Sequence, residues 1–386
     1  MTKRTTLNAK YNSYGEVLYL AFELSAKKWL LGFTIGMGQK PRQRAINAGD
    51  LERLHLEISE AKKRFHLSEN VRVVSCYEAG RDGFWLDRYL RSTGIENLVV
   101  DSSSIEVNRR KRRAKSDRLD VESLLRMLIR HDLGDPKIWS IVQVPSAEEE
   151  DRRQGHRELG SLRKERTRTI CRIKGLLVSQ GIRLGTRFDL SDERLKGIRL
   201  WNGAALGDGL KRRLRREWQH LDLIKKQMAE VEGEHRKETR DKQQPDVERI
   251  EQLQTLRGIG AIGSWVLVRE FFGWREFKNG KEVGSLAGFC PSPYDSGDTK
   301  IEQGISKAGN KRIRAVCVEL AWSWLRHQPN SKLTMWFEKR FALGGKRARK
   351  IGIVAVARRL LIELWRYLKT GAIPEGAQLK TAAARA

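Results

Sequence analysis

Apolar and polar positions alternate in short runs at the start of the chain. Residues 16–23 (EVLYLAFE) and 29–35 (WLLGFTI) are rich in β-type side chains and flank a polar turn, which predicts a strand hairpin. RQRAIN, ending at Asn47, is expected to add a third strand. The period then lengthens. Asp50 is placed to cap a helix with Leu51, Leu54, Ile58, Ala61 and Phe65 on one face. RVVSC at 72–76 predicts a strand, Asp82 a cap for a helix over 83–93, and NLVVD at 97–101 a further buried strand. Residues 118–132 predict a helix with Leu119, Leu124 and Leu128 inward. Three strands, helix, strand, helix, strand, helix is the order of an RNase H-like α/β domain, here residues 1–145.

The pattern shifts at about residue 146. Up to about 250 the chain is charged, poor in aromatics and rich in helix formers, with Leu159, Leu162, Ile170, Ile173, Leu176 and Leu177 at helical spacing. A second such run, LDLIKKQMAEVEGEHRKETR, follows. Together they predict a helical hairpin or coiled coil over 146–250 that links two domains and could serve as a dimer contact. From 251 to 386 a mainly helical domain is expected. It would hold a helix–Gly-Ile-Gly–helix unit, a loop-rich stretch from LAGFC to GNKR, a helix over 309–326 and a last helix over about 348–369. The stripes Ile313, Val316, Leu320, Trp324 and Ile351, Val354, Leu361, Trp365 read as core.

Charge narrows the function. Of 386 residues, 76 are Lys or Arg and 48 Asp or Glu, a net charge of +28. That excess needs a polyanion, because each cation that neutralises a phosphate releases counterions, and without a partner the self-repulsion is uncompensated. The cations fall in RRKRRAK, LKRRLRREW, KRIR and KRARK. No run of about 18 apolar residues exists, so a membrane-spanning protein is not expected. The N-terminus lacks the apolar core of a secretory signal, and the four cysteines form no CxxC pair, which fits reduced thiols in a cytoplasmic protein. No HExxH and no GxxxxGK[ST] occurs.

Phosphodiester chemistry calls for hard divalent cations, and Mg²⁺ takes carboxylate oxygens. Glu23 closes the first expected strand and Glu78 follows the fourth. Asp117 and Asp120, three apart, share one face of the helix over 118–132. In an RNase H-like order these locations meet at one end of the central sheet. Each acid alone would read as a surface carboxylate beside an Arg; the combination points to a metal site. Gly258-Ile259-Gly260 between apolar helices resembles a helix-hairpin-helix, whose glycines let backbone N–H groups approach a phosphate.

LAFELSAK, CYEAGRDGFWL, AKSDRLDVESL, LQTLRGIGAIGSWVL, LAGFCPSPYDSG and GISKAGNKRIR stand in one order along the chain. Taken together they resemble the DEDD transposases of insertion sequences, the family that also contains Piv-type DNA invertases and bridge-RNA-guided recombinases. The resemblance implies a RuvC-like N-terminal domain with Mg²⁺-binding acids at Glu23, Glu78, Asp117 and Asp120. The first acid is normally Asp in the family; Glu23 reaches one methylene further. It also implies a C-terminal transposase domain whose nucleophilic serine is Ser296. Expected nucleic-acid contacts are Arg109, Arg110, Lys111, Arg112, Arg113, Lys115, Gly258, Gly260, Lys307, Asn310, Lys311, Arg312 and Arg314. The implied function is DNA recombination through a serine-linked intermediate, with DNA, a structured non-coding guide RNA and further copies of the chain (a dimer or tetramer) as partners. Two alternatives stand beside it: a metal-dependent, Holliday-junction-type nuclease that hydrolyses DNA with water, and a non-catalytic nucleic-acid scaffold.

Overall fold

The computed structural model describes residues 16–105, 116–296 and 299–381, with the backbone alone at 294–296 and 299–302. The chain divides into two compact units, Met1–Pro145 and Ser146–Ala386. The architecture is mixed α/β, with a five-stranded sheet in the first unit and mostly helices in the second.

In the first unit β1 (Val17–Leu24), β2 (Lys28–Thr34) and β3 (Arg42–Asn47) are followed by α1 (Leu51–Arg64), β4 (Arg72–Glu78), α2 (Trp85–Ser92), β5 (Glu96–Val100) and α3 (Asp117–Asp132). The sheet order is β3-β2-β1-β4-β5. The first three strands pair antiparallel, while β1, β4 and β5 run parallel. Strand alternation sends successive side chains to opposite faces. Leu18, Leu20, Phe22 and Tyr77 pack with Leu54 and Ile58 of α1 and Leu86 and Leu90 of α2. Tyr19, Ala21, Val74 and Cys76 pack on the other face with Val121, Leu124, Leu125 and Leu128 of α3. Gly32, opposite Ala21, lets α3 come close: a Cβ there would lie 2.2 Å from Val121 Cγ1.

Asp50 caps α1 as expected, its Oδ1 accepting from Arg53 N–H at 2.9 Å. Asp82 does not cap α2. A turn closed by Gly83 N–H to the Gly80 carbonyl occupies that stretch, Gly83 has φ +70°, and the helix begins only at Trp85.

The second unit contains α4 (Ala147–Asp151), α5 (Gln154–Val178), α6 (Asp192–Gly197), α7 (Asp208–Arg240), α8 (Val247–Gln254), α9 (Ala261–Leu267), α10 (Gly280–Leu286), β6 (Pro291–Ser296), β7 (Thr299–Ile305), α11 (Lys311–His327), α12 (Lys332–Phe341) and α13 (Gly345–Thr370). Helix α9 runs on into a π-helical turn, Val268–Phe272. α5 and α7 form an antiparallel hairpin. At one end Leu159, Leu162, Met228 and Val231 join the main core around Trp265, Phe271 and Trp324; at the other Ile173 and Leu177 meet Leu214 and Leu221. The apolar stripes of both helices are thus covered within one chain. The stretch read as loops between LAGFC and GNKR contains the antiparallel β6–β7 hairpin. The pattern hid it because Pro291 and Pro293 each remove a ladder N–H, and the register slips between them. All four cysteines are free thiols.

Candidate catalytic edge and nucleic-acid interface

Phe22 and Tyr77 are the last register pair between parallel β1 and β4, and Glu23 and Glu78 are the next residue on each strand. By alternation both stand on the face that α3 covers. Glu23 is half-buried and Glu78 exposed. The far end of α3 is fixed by Asp132, which accepts from Tyr19 Oη at 2.7 Å and pairs with Arg72 at 2.9 Å. Arg72 lies at the start of β4, opposite Val17. The helix therefore runs antiparallel to β1, and its first turn, with exposed Asp117 and half-buried Asp120, lies at the sheet end that carries Glu23 and Glu78. Gln43 of β3 holds that turn, donating to the Arg118 carbonyl at 3.3 Å and to Glu122 at 3.2 Å. Acids also suit the positive end of the helix dipole.

All four donors are carboxylates, a set whose chemistry fits Mg²⁺. Among the described residues, however, no three His, Cys, Asp or Glu side chains are close enough to hold an ion. The acids share an edge without converging on one point. A fifth carboxylate, overlooked in the sequence, borders them: Asp101 follows Val100, the register partner of Glu78. Its signal was the acid closing NLVVD, the same signal that marks Glu23. Here Asp101 accepts from Ser103 N–H at 2.9 Å and Ser103 Oγ at 2.8 Å. The basic run Arg109, Arg110, Lys111, Arg112, Arg113 and Lys115 lies outside the described residues.

In the second unit Ser296 is the last residue of β6, paired with Thr299 at the tip of the hairpin. Its side chain lies outside the description. The Gly258–Gly260 turn joins α8 to α9. Gly258 has φ +86°, and its carbonyl accepts from Ser323 Oγ at 2.8 Å; Lys380 Nζ reaches the Ile259 carbonyl at 3.0 Å. One side of the turn is thus packed on α11 and the C-terminal segment, while Gly260 stays exposed.

The motif GISKAGNKRIR divides into outward and inward residues. Lys307, Lys311 and Arg312 are exposed. Arg314 is half-buried and donates to the Ala287 carbonyl at 3.0 Å. Asn310 works inside the protein. Its Oδ1 caps α11 by accepting from Arg312 and Ile313 N–H at 3.0 and 3.2 Å, and its Nδ2 donates to Glu270 at 2.9 Å.

Glu270, in the π-helical turn, also accepts from His156 Nε2 at 2.7 Å and from Arg157 at 3.0 and 2.9 Å. Burial alone would raise its pKa. The His156, Arg157 and Asn310 hydrogen bonds outweigh that and hold the carboxyl far below the usual range. No periodicity could have revealed this network, because Glu270 lies 40 to 114 residues from its partners.

His235 lies flat on Trp265, ring centroids 3.9 Å apart. Burial, then the Arg269 charge, pushes its pKa down to about 4 from 6.5. The folded state therefore holds it neutral, while the unfolded chain takes up a proton near pH 6.5. Its contribution to stability is full above pH 6.5 and is lost as the pH falls toward 4. The urea midpoint is expected to drop between pH 6.5 and 5, above the range where carboxylates protonate. His235→Gln should flatten that drop, and an unchanged slope would refute the assignment.

Residues 250–335 match the Transposase IS116/IS110/IS902 family. A Sinorhizobium fredii protein named "Putative transposase y4rJ" is 38% identical over 380 residues, 94% of this chain and 95% of its own. The transposase for insertion sequence element IS1111A of Coxiella burnetii is 24% identical over 256 residues, 66% of each chain. That for IS1533 of Leptospira borgpetersenii is 23% identical over 274 residues, 69% of this chain and 75% of its own. With the +28 charge and the acid-lined sheet edge, these likenesses define an insertion-sequence transposase, a protein of DNA transposition. The chain belongs to the IS116/IS110/IS902 family of transposases. Among the described residues no helix is long and apolar enough to cross a membrane.

Proposed function

We propose that this transposase excises and inserts its element by a Mg²⁺-dependent, serine-linked strand exchange of the DEDD type, directed by a structured guide RNA. The observation that carries the reading is the common edge of Glu23, Glu78, Asp117 and Asp120 at the ends of two parallel strands and the start of the helix above them. The strand order, three antiparallel strands and then two parallel ones, supports an RNase H-like, RuvC-like domain. The four acids share an edge without converging, so they would have to draw together to hold Mg²⁺, which when bound neutralises phosphate charge.

Ser296 Oγ attacks a DNA phosphorus, so an Oγ–P bond forms and the P–O3′ bond breaks. The serine proton ends on the departing 3′ oxygen. A 3′-hydroxyl of the partner strand then attacks the phosphoserine, and Ser296 regains its proton. Each ester bond broken is replaced by another, so no nucleotide hydrolysis is required, in keeping with the lack of a P-loop motif. Lys307, Lys311, Arg312 and the 109–115 run contact phosphates, as does the Gly258–Gly260 turn, while base pairing to the RNA selects sequence. A second copy of the chain, in a dimer or tetramer, supplies the partner strand's site.

Asp120→Asn tests the reading. Strand exchange should fall by about 10²- to 10³-fold, the scale for losing one charge-stabilising group. Guide-RNA binding, read by gel shift, should stay near wild type. Exchange at the wild-type rate would refute the metal site and favour the scaffold.

A further inference from the structure

Trp201 is 84% exposed, the most exposed tryptophan among the described residues. It stands at the free end of the α5–α7 hairpin, in the connection between those helices. The turn that carries it is well anchored. Leu200 N–H donates to the Ala204 carbonyl at 2.8 Å, Gly203 N–H to the Leu200 carbonyl at 3.0 Å, and Ala204 N–H to Asn202 Oδ1 at 3.1 Å. Leu206 beyond the turn is buried in the small core of the hairpin end, with Leu200 packed against it. The Trp201 Cβ rests over Gly181, where an added Cβ would come within 3.3 Å of it. A fixed backbone thus presents an indole that nothing among the described residues covers.

Its surroundings are cationic. Segment 179–217 holds ten Lys and Arg against five Asp and Glu, a net +5. Arg183, Arg187, Arg194, Lys196 and Arg199 are exposed, and among the described residues none pairs with a carboxylate. Two copies of this tip would repel each other, whereas a polyanion is attracted. An aromatic face on a fixed turn, in a segment rich in unpaired cations, suits a nucleobase stacked on the ring with its phosphates on the arginines.

We infer that Trp201 is a stacking platform for an unpaired base of a nucleic-acid strand. The inference rests on the nucleic-acid reading of the proposed function, but not on its chemistry. Nucleic-acid binding by the full chain, followed by fluorescence anisotropy, tests it on three labelled probes: a short DNA single strand, an RNA hairpin with an unpaired loop, and a blunt DNA duplex. Trp201→Ala should weaken binding to the strand, the RNA loop or both by about 5- to 150-fold, the scale for one stacked base. The blunt duplex should bind as before, and Trp201→Phe should retain most of the affinity. Which single-stranded probe suffers names the source of the base. Equal loss on the duplex, no loss on any probe, or a lower sedimentation coefficient for Trp201→Ala (a copy of the chain as occupant) would each overturn the inference. Because binding is read without turnover, it stands or falls apart from the Asp120→Asn result.

Discussion

Ser296→Ala is expected to abolish the covalent protein–DNA species and to lower strand exchange by about 10⁶-fold, the scale on which an enzyme loses rate when its nucleophilic serine is removed. A hydroxyl is a weak nucleophile until oriented, and alanine leaves nothing to form the ester. Ser296 ends β6 at the tip of a two-strand hairpin, and a circular-dichroism spectrum of the variant that matches wild type checks that it folds. The measurement is a denaturing gel of protein with labelled element ends, which shows whether label stays with the protein after boiling in detergent. Wild type should retain label and Ser296→Ala should retain none, with DNA binding preserved. Unchanged cleavage by the variant would mean that water is the nucleophile, and the hydrolytic nuclease would replace the recombinase.

Much of this arrangement was legible in the sequence, and the reasons are local. β1, β2, β4 and β5 carry dense apolar runs, and α3 a strong helical stripe, so their order and the shared end of Glu23, Glu78, Asp117 and Asp120 followed. Asp50 was readable as a cap because nothing else competes for it. Asp82 was not, since the Gly80–Gly83 turn consumes the residues that a longer α2 would need. The β6–β7 hairpin was masked by its prolines. α12 was missed because only a short break, capped by Ser331, separates it from α11. Asn310 shows the limit more sharply. In GISKAGNKRIR it looks like one more phosphate contact, yet its amide is spent on a helix cap and on Glu270, a partner that only the fold brings near. Glu270 itself resembles any acid on an amphipathic helix.

Glu270→Gln is expected to destabilise the second unit by about 3–5 kcal/mol, the usual consequence of removing one partner from a buried ionic cluster. Glu270 is 2% exposed, and its two oxygens accept from four donor atoms on three residues. A glutamine keeps one acceptor oxygen but turns an amide N–H₂ toward Arg157 or Asn310. It leaves the Arg157 charge without its counterion and offers His156 a weaker acceptor. For a unit of this size the melting temperature should fall by roughly 10 °C. Function should suffer as well, because Asn310 loses its anchor, and Asn310 sets the start of α11 directly after the hairpin that carries Ser296. Replacing Arg157 by leucine in the same chain should recover part of the loss, since the uncompensated charge goes with it, whereas independent sites would add. Thermal melts of the two single variants and the double variant decide the matter. A fall below about 1 kcal/mol for Glu270→Gln, or strict additivity with Arg157→Leu, would show that the cluster is not what holds the π-helical turn to α5 and α11.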